Sequence, residues 1–305
     1  MYKRILRFVQ SVQDFERRLD RVDERQQQML VNQGVIISAY NASKEISSLY
    51  EVEFKIFSQW GEDGIIQYLA QNIEIPSKTF IEFGVEDFSE SNCRFLMMKD
   101  NWSGFVIDGA ETNVRRIQAS PNFWRYDLTA HCAFITKDNI AKLLEQSGFG
   151  KDVGILSIDV DGMDYWVAQA LSDWRPRILI IEYNAVFGID RAVVVPYDAK
   201  FNRTAAHPSN LYWGAGLKAL YLLAKERGYE LVGTNSGGNN AFFVRRELLN
   251  GHVKAVELQD AYTESKFRES RDQAGKLTFI AREERLRAIK GMPVFNVETG
   301  EIQTL

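Results

Sequence analysis

The sequence predicts an α/β protein. Its core is a Rossmann-like, mostly parallel seven-stranded sheet that ends in an antiparallel hairpin, and a long N-terminal coiled-coil helix precedes it. Three observations carry this. From about residue 55, short apolar runs alternate with helix-period segments, as expected for parallel strands covered on both faces. Near the end of that stretch, the turn Thr-Asn-Ser-Gly-Gly-Asn-Asn at 234–240 separates two strand-like runs, which reads as a hairpin. The first fifty residues instead place apolar side chains alternately three and four apart, the spacing of a heptad seam.

The chain divides accordingly into 1–50, a coiled-coil oligomerisation helix; 51–248, the sheet domain; and 249–305, an extension of helices and loops. The seam comprises Ile5, Phe8, Val12, Phe15, Leu19, Val22, Gln26, Met29, Gln33 and Ile36, with mixed charges between them. Gln26 and Gln33 weaken it, and Gly34 is a candidate break. A homo-oligomer through residues 1–50 is the expectation. A single helix lying on its own domain is the alternative.

Within the sheet domain, strands are expected at 80–83, 104–107, 153–158, 178–181, 229–233 and 241–245, with a weaker candidate at 123–126. Helices are expected at 62–71, 91–99, 140–146, 165–171 and 216–227. The extension has only weak periodicity.

Composition bounds the function. The chain has 305 residues, 45% of them hydrophobic, and a net charge of −4. That is globular, and it lacks the basic excess of a nucleic-acid partner. Two cysteines, Cys93 and Cys132, suggest no disulfide framework and fit a reducing compartment. No apolar run is long enough to span a membrane, and no signal-peptide core forms after the basic start. A cytoplasmic location follows as the expectation. Lys3, Arg4 and Arg7 offer a peripheral contact with the inner face of a membrane, against the preferred reading of a solvated helix start.

In open α/β sheets, ligands bind beyond the carboxyl ends of the strands. The first such loop lies in Thr-Phe-Ile-Glu-Phe-Gly-Val-Glu-Asp at 79–87. A dinucleotide fingerprint would need three glycines. Here only Gly84 stands in place, and Glu86 and Ser89 occupy the other two positions. Carboxylates at Glu82, Glu86 and Asp87 repel a pyrophosphate and attract the ammonium and sulfonium of S-adenosylmethionine. Asp108 ends the next strand, placed to accept hydrogen bonds from two ribose hydroxyls. Asp127 is a candidate for the adenine amino group.

The segment Leu-Ser-Ile-Asp-Val-Asp-Gly-Met-Asp at 156–164 is the most distinctive. Asp159 and Asp161 face the same way if the strand persists, and Glu182 and Asn184 end the following strand. If these strands are neighbours, three carboxylates and an amide converge. A divalent cation such as Mg²⁺ held by Asp159, Asp161, Glu182 and Asn184, a substrate amine, or a shared proton would relieve their repulsion. Without a metal, Asp159, Asp161 or Glu182 can serve as general base. His207, beside a proline, is the rival base. Residues 186–214 lack periodicity and carry Phe187, Arg191, Tyr197, Phe201, Arg203, Tyr212 and Trp213, which suits a lid over a sugar or other polar ring.

Together these residues resemble the FkbM-type methyltransferases, a branch of the class I S-adenosylmethionine-dependent enzymes found among bacterial surface-polysaccharide proteins. The resemblance rests on four segments: Ile-Leu-Ser-Ile-Asp-Val-Asp-Gly at 155–162, Phe-Ser-Gln-Trp-Gly-Glu-Asp-Gly-Ile-Ile at 57–66, Ile-Glu-Phe-Gly-Val-Glu-Asp at 81–87, and Gly-Thr-Asn-Ser-Gly-Gly-Asn-Asn-Ala-Phe-Phe at 233–243. It covers roughly 54–246. It implies O-methylation of a glycan or its precursor, with Glu82, Gly84 and Asp108 toward the cofactor and Asp159, Asp161 and Glu182 at the reacting edge. Asp161 departs from the family's usual glutamate. Two other readings stand beside it. One is a metal-dependent nucleotide-sugar glycosyltransferase using Asp159 and Asp161. The other is a non-catalytic coiled-coil scaffold with a degenerate methyltransferase domain.

Overall fold

The computed structural model describes the backbone of residues 2–305, and side chains from residue 10 onward except at 16 and 20. Ile5 and Phe8 of the expected seam, and Lys3, Arg4 and Arg7, lie outside the described side chains.

Seven strands form the main sheet: β1 (Thr79–Phe83), β2 (Ser103–Asp108), β3 (Leu128–Cys132), β4 (Ile155–Ile158), β5 (Ile178–Glu182), β7 (Tyr229–Thr234) and β8 (Asn240–Arg245). Their spatial order is β3-β2-β1-β4-β5-β8-β7. The first five are parallel, and β8 runs antiparallel to both β5 and β7. The two-residue side-chain period sorts the strands onto two cores. Ile81, Phe83, Phe105, Ile107, Leu179 and Phe243 face one way. Phe80, Val106, Ile155, Ile180, Phe242 and Val244 face the other.

The helices between are α2 (Glu62–Asn72), α3 (Arg94–Asp100), α4 (Glu111–Ala119), α5 (Pro121–Arg125), α6 (Ile140–Glu145), α7 (Asp164–Ala170), α8 (Arg203–Ala206) and α9 (Leu217–Glu226). The weak strand expected at 123–126 is instead α5, because Pro121 sits in its first turn and starts a helix. The strand lies just beyond it. As an edge, β3 buries only Leu128 and Ala130, too little apolar signal to read.

The N-terminal helix α1 (Tyr2–Asn41) runs unbroken through Gly34. Glycine is there for contact: a Cβ at Gly34 would lie 2.5 Å from the Phe95 ring. The end of α1 is anchored by Val31 against Phe57 and Phe95, and by Ser38 donating to Gln67 and Asn41 to the Val52 carbonyl. Along its earlier turns the seam stays exposed, Phe15 by 61% and Met29 by 62%. Among the described residues, no helix is long and apolar enough to cross a membrane.

The C-terminal stretch contains α10 (Leu258–Ala261) and α11 (Glu283–Ala288). It also contains a hairpin, which the expectation of helices and loops lacked. Strands β9 (Pro293–Asn296) and β10 (Glu301–Thr304) pair with each other and, through β9, with β6 (Val193–Val194). This small sheet braces the segment that follows β5.

Buried carboxylates tie the start of α2 to the rest. Asp63 accepts from the backbone N–H groups of Ile56, Phe57 and Ser58 at 2.7–2.8 Å. Glu62, fully buried, accepts from the N–H groups of Trp60 and Gly61 at 2.9 Å and from the amides of Asn235 and Asn240. The β7–β8 turn is thereby locked onto α2. Replacing Glu62→Ala strands four donors, so we expect a loss of about 3 kcal/mol, read as a lower urea midpoint at unchanged slope. An unshifted midpoint would show that water takes over the carboxylate's bonds.

Candidate active site

The carboxyl ends of β1, β2, β4 and β5 open onto one cavity of about 810 Å³. Gly84 leaves β1 at φ +66°, and a Cβ there would sit 2.0 Å from the Asp159 carbonyl oxygen. Only glycine permits this approach. Glu86 follows at φ 48°, and its N–H donates to Asp108 at 2.9 Å. The other Asp108 oxygen accepts from the Ala110 N–H at 2.8 Å and from the Asn113 amide at 3.1 Å. The carboxylate is thus held at the cavity wall by its own loop.

Glu82 also lines the cavity, but three of its hydrogen bonds are spent on the chain that follows. It accepts from Ser91 Oγ at 2.7 Å and from the N–H groups of Asn92 and Cys93 at 2.7 and 3.1 Å. Burial raises its pKa. This anchor presents Asn92, whose amide reaches Ser157 Oγ at 3.1 Å. Asp127 is elsewhere: it precedes β3, at the amino edge of the parallel sheet, exposed. The cavity end of that strand is lined instead by Ala133, Phe134 and Ile135.

Oxygen atoms of Asp159, Asp161 and Glu182 lie within 4.8 Å of one another. The convergence is not made by a persisting strand. β4 ends at Ile158, and Asp161 takes a left-handed backbone, φ 53°. Buried Asp164 holds that turn by accepting from the N–H groups of Val160 and Gly162 at 2.9 and 3.1 Å. Glu182 Oε2 is buried with no hydrogen-bond partner. Burial, then the neighbouring carboxylates, push Asp159 and Glu182 well above the usual carboxylate range. Burial is also the main cause that brings Asp164 up to about 7. Such a pair holds a proton between its members. Three carboxylate oxygens are also donors of the kind a divalent cation takes. Asn184 does not complete that set. Its amide nitrogen donates to the carbonyls of Leu211 and Trp213 at 3.0 and 2.9 Å, and its oxygen accepts from the Val186 N–H.

Asn184 thereby pins the 186–214 segment over the site. Phe201, Arg203 and Trp213 line the cavity. Phe187 and Tyr212 are buried in a satellite core, and Arg191 and Tyr197 are engaged with Phe187 and Asp138. His207 does not reach the cavity. Its Nδ1 pairs with Ser209 Oγ at 2.7 Å, and burial lowers its pKa.

The C-terminal stretch contributes wall residues that the sequence reading missed. Ser265, Phe267, Glu269 and Arg285 face the same cavity, tied on by the Lys266 N–H donating to the Gly237 carbonyl at 2.9 Å. They come from an aperiodic polar run with no motif. Asn239 and Asn240 were visible only as turn residues, yet they too line the cavity.

No family model matches the chain, and no curated protein matches it. Solved structures do. The N-terminal domain of EvdMO1 with SAH bound is 12% identical over 62% of this chain and 80% of that one, with a TM-score of 0.40. The CurJ carbon methyltransferase is 10% identical over 64% of this chain and 56% of that one, with a TM-score of 0.38. An O-methyltransferase family protein from Burkholderia thailandensis is 10% identical over 79% and 71%, with a TM-score of 0.35. This chain therefore spans little more than half of the CurJ protein. The strand order, with β8 antiparallel between β5 and β7, gives a methyltransferase-like α/β fold.

The carboxylate cluster should make stability depend on pH. The folded-state pKa values of Asp159, Asp164 and Glu182 are raised, so the folded chain keeps protons that the unfolded chain has released. Stability then falls as pH rises from about 4, the unfolded carboxylate value, through about 7 for Asp164. Asp159 and Glu182 extend the fall. We expect a lower Tm at pH 8 than at pH 5.5, and a flatter slope in Asp159→Asn/Glu182→Gln. An equally steep slope in that variant would place the proton store elsewhere.

Proposed function

We propose that the chain is an S-adenosylmethionine-dependent methyltransferase that O-methylates a sugar hydroxyl of a bacterial surface glycan or its precursor. One observation carries the reading: a single cavity joins Asp108, at the ribose position, to half-buried Asp159 and buried Glu182. The methyltransferase-like strand order agrees with it.

When bound, S-adenosylmethionine supplies a methyl group on a sulfonium. Asp108 would take the ribose hydroxyls, beside the Gly84 backbone that lines the same cavity. Glu86, exposed at the cavity wall, attracts the ammonium. At the other end, an unprotonated Asp159 or Glu182 accepts the proton of the acceptor hydroxyl. The freed oxygen would then take the methyl group that the bound sulfonium supplies, with the thioether as leaving group. A buried carboxylate with a raised pKa is a stronger base than a solvated one.

The glycosyltransferase reading has less support, because Asp159 is paired with Glu182 and is not presented to a diphosphate with Asp161 alone. Thermal-shift titration separates the two. S-adenosylhomocysteine at a hundredfold excess over its Kd should stabilise by about 2.7 kcal/mol, and Asp108→Ala should weaken its binding about tenfold or more. Stabilisation only by a nucleoside diphosphate with Mn²⁺ would overturn the reading.

We propose also that α1 pairs with α1 of a second copy. Its exposed Val12, Phe15, Leu19, Val22, Met29 and Ile36 keep heptad spacing over a helix whose end is fixed to the domain. Phe15→Glu with Leu19→Glu should reduce the particle to monomer mass in light scattering, and an unchanged mass would dismiss this pairing.

A further inference from the structure

Arg285 is a buried cation of the cavity wall with almost no compensation. Its residue is 8% exposed and lines the cavity wall. Of its five N–H donors, only one has a partner, the Ser265 carbonyl at a marginal 3.5 Å. Its Nε is buried with none. Among the described residues, no carboxylate forms an ion pair with it.

The neighbouring charges do not supply the missing anion. Glu269 accepts from Arg271 Nε at 2.9 Å and from the Asn210 amide at 3.0 Å. Asp161 and Glu269 approach Arg203 only to 3.8 and 3.7 Å, beyond direct hydrogen bonding. Arg203 spends Nε on the Asn210 carbonyl and lies over the Trp213 ring at 4.7 Å. Its two terminal nitrogens are therefore without hydrogen bonds to protein. Burial, then the positive charge of Arg203, lower the pKa of Arg285, and Glu264 offsets part of this without reaching an ion pair.

A second cavity of about 190 Å³ adjoins at this point and shares Ser265, Phe267 and Arg285 with the first. Lys266, Arg268 and Arg282 also line it, against one acid, Glu264. The positive charge thus continues away from the carboxylate cluster.

We propose that Arg285 and Arg203 form a subsite for an acidic group of the acceptor, a carboxylate or a phosphate. Arg203 stands 3.8 Å from Asp161, which belongs to the carboxylate cluster. The acidic group is therefore on the ring that is modified or on the one joined to it. The acceptor is an acidic sugar or a sugar phosphate, and the second cavity receives what lies beyond its acid. Calling the bound molecule an acceptor rests on the methyltransferase reading. The anion subsite itself does not. A buried guanidinium without a partner is costly to the folded state, and a planar fork of donors is suited to a bidentate oxyanion.

The test uses the full chain with four probes: inorganic phosphate, glucose 1-phosphate, glucuronate and glucose, each at ionic strength matched with chloride. We expect saturable stabilisation by phosphate, and by glucose 1-phosphate or glucuronate, with none by glucose. Preference between the last two acids identifies phosphate or carboxylate as the natural group. Arg285→Gln should weaken the preferred acid tenfold or more, and its ligand-free Tm should not fall, because a partnerless charge has been removed. A structural role would lower that Tm. Anion binding undiminished in Arg285→Gln, or no anion effect beyond chloride in the parent protein, overturns the subsite. S-adenosylhomocysteine titrated into both proteins reads the methyltransferase proposal separately: its binding should be equal in the two, whatever the acids do.

Discussion

The contact on which the site depends is backbone against backbone, Gly84 on the carbonyl of Asp159. It lies where the strand order reverses, between β1 and β4, so the loops leaving these two strands part and open a crevice. The glycine lets them touch at the base of that crevice before they part. Its position fixes how far the β1 loop stands from the carboxylates of β4 and β5. A side chain there would push the two loops apart, and the halves of the cavity would lose their spacing. Asp108 then secures the β1 loop from its other side, through the Glu86 N–H.

Charge is distributed unevenly around that crevice. Away from it, the best-compensated buried ions are Glu62, which meets four donors, and Arg245, which bonds both Asp152 and the Pro176 carbonyl. At the crevice the accounting stays open. Glu182 has a bare buried oxygen, Asp159 sits against it, and Arg285 has almost no partner. Folding tolerates these groups because the rest of the sheet over-determines their positions. Preorganised charge of both signs in one cavity is an arrangement that binding completes.

The strand-helix alternation was legible because buried parallel strands are almost wholly apolar, as at 80–83 and 178–181. The edge strand β3 was not. One face of it meets solvent and only Leu128 and Ala130 are buried apolar residues, so the neighbouring Phe123–Tyr126 run outweighed it. At the site, Gly84, Asp108 and the Asp159–Glu182 pair were legible because strand ends concentrate ligand-facing groups. Asp127 was misplaced by the same shift in strand position. Asn184 carries the right chemistry but has been drawn into holding backbone carbonyls, which depends on a loop that the sequence does not show closing. Arg203 was visible only as part of an aromatic stretch, and Arg285 not at all. No local period distinguishes an arginine that enters a cavity from one on a solvated helix.

That last failure has a physical reason which also explains the C-terminal extension. The cavity needs a wall on the side where β5 gives way to β8, because β8 runs antiparallel and sends no carboxyl end there. The chain supplies this wall twice. The 186–214 segment covers the site from above, held by Asn184 and braced by β6 on the C-terminal hairpin. Residues 264–285 close it from the side, held by the β7–β8 turn. Neither piece has enough apolar surface to fold alone, and each is ordered by the other through β9 and through the Arg203, Asn210 and Glu269 contacts. The walls of the cavity are thus built from the segments with the least secondary structure, while the sheet carries the carboxylates they surround. A chain cut at residue 248 would keep every strand of the main sheet and the whole carboxylate cluster. It would lose Arg285, and with it one side of the cavity.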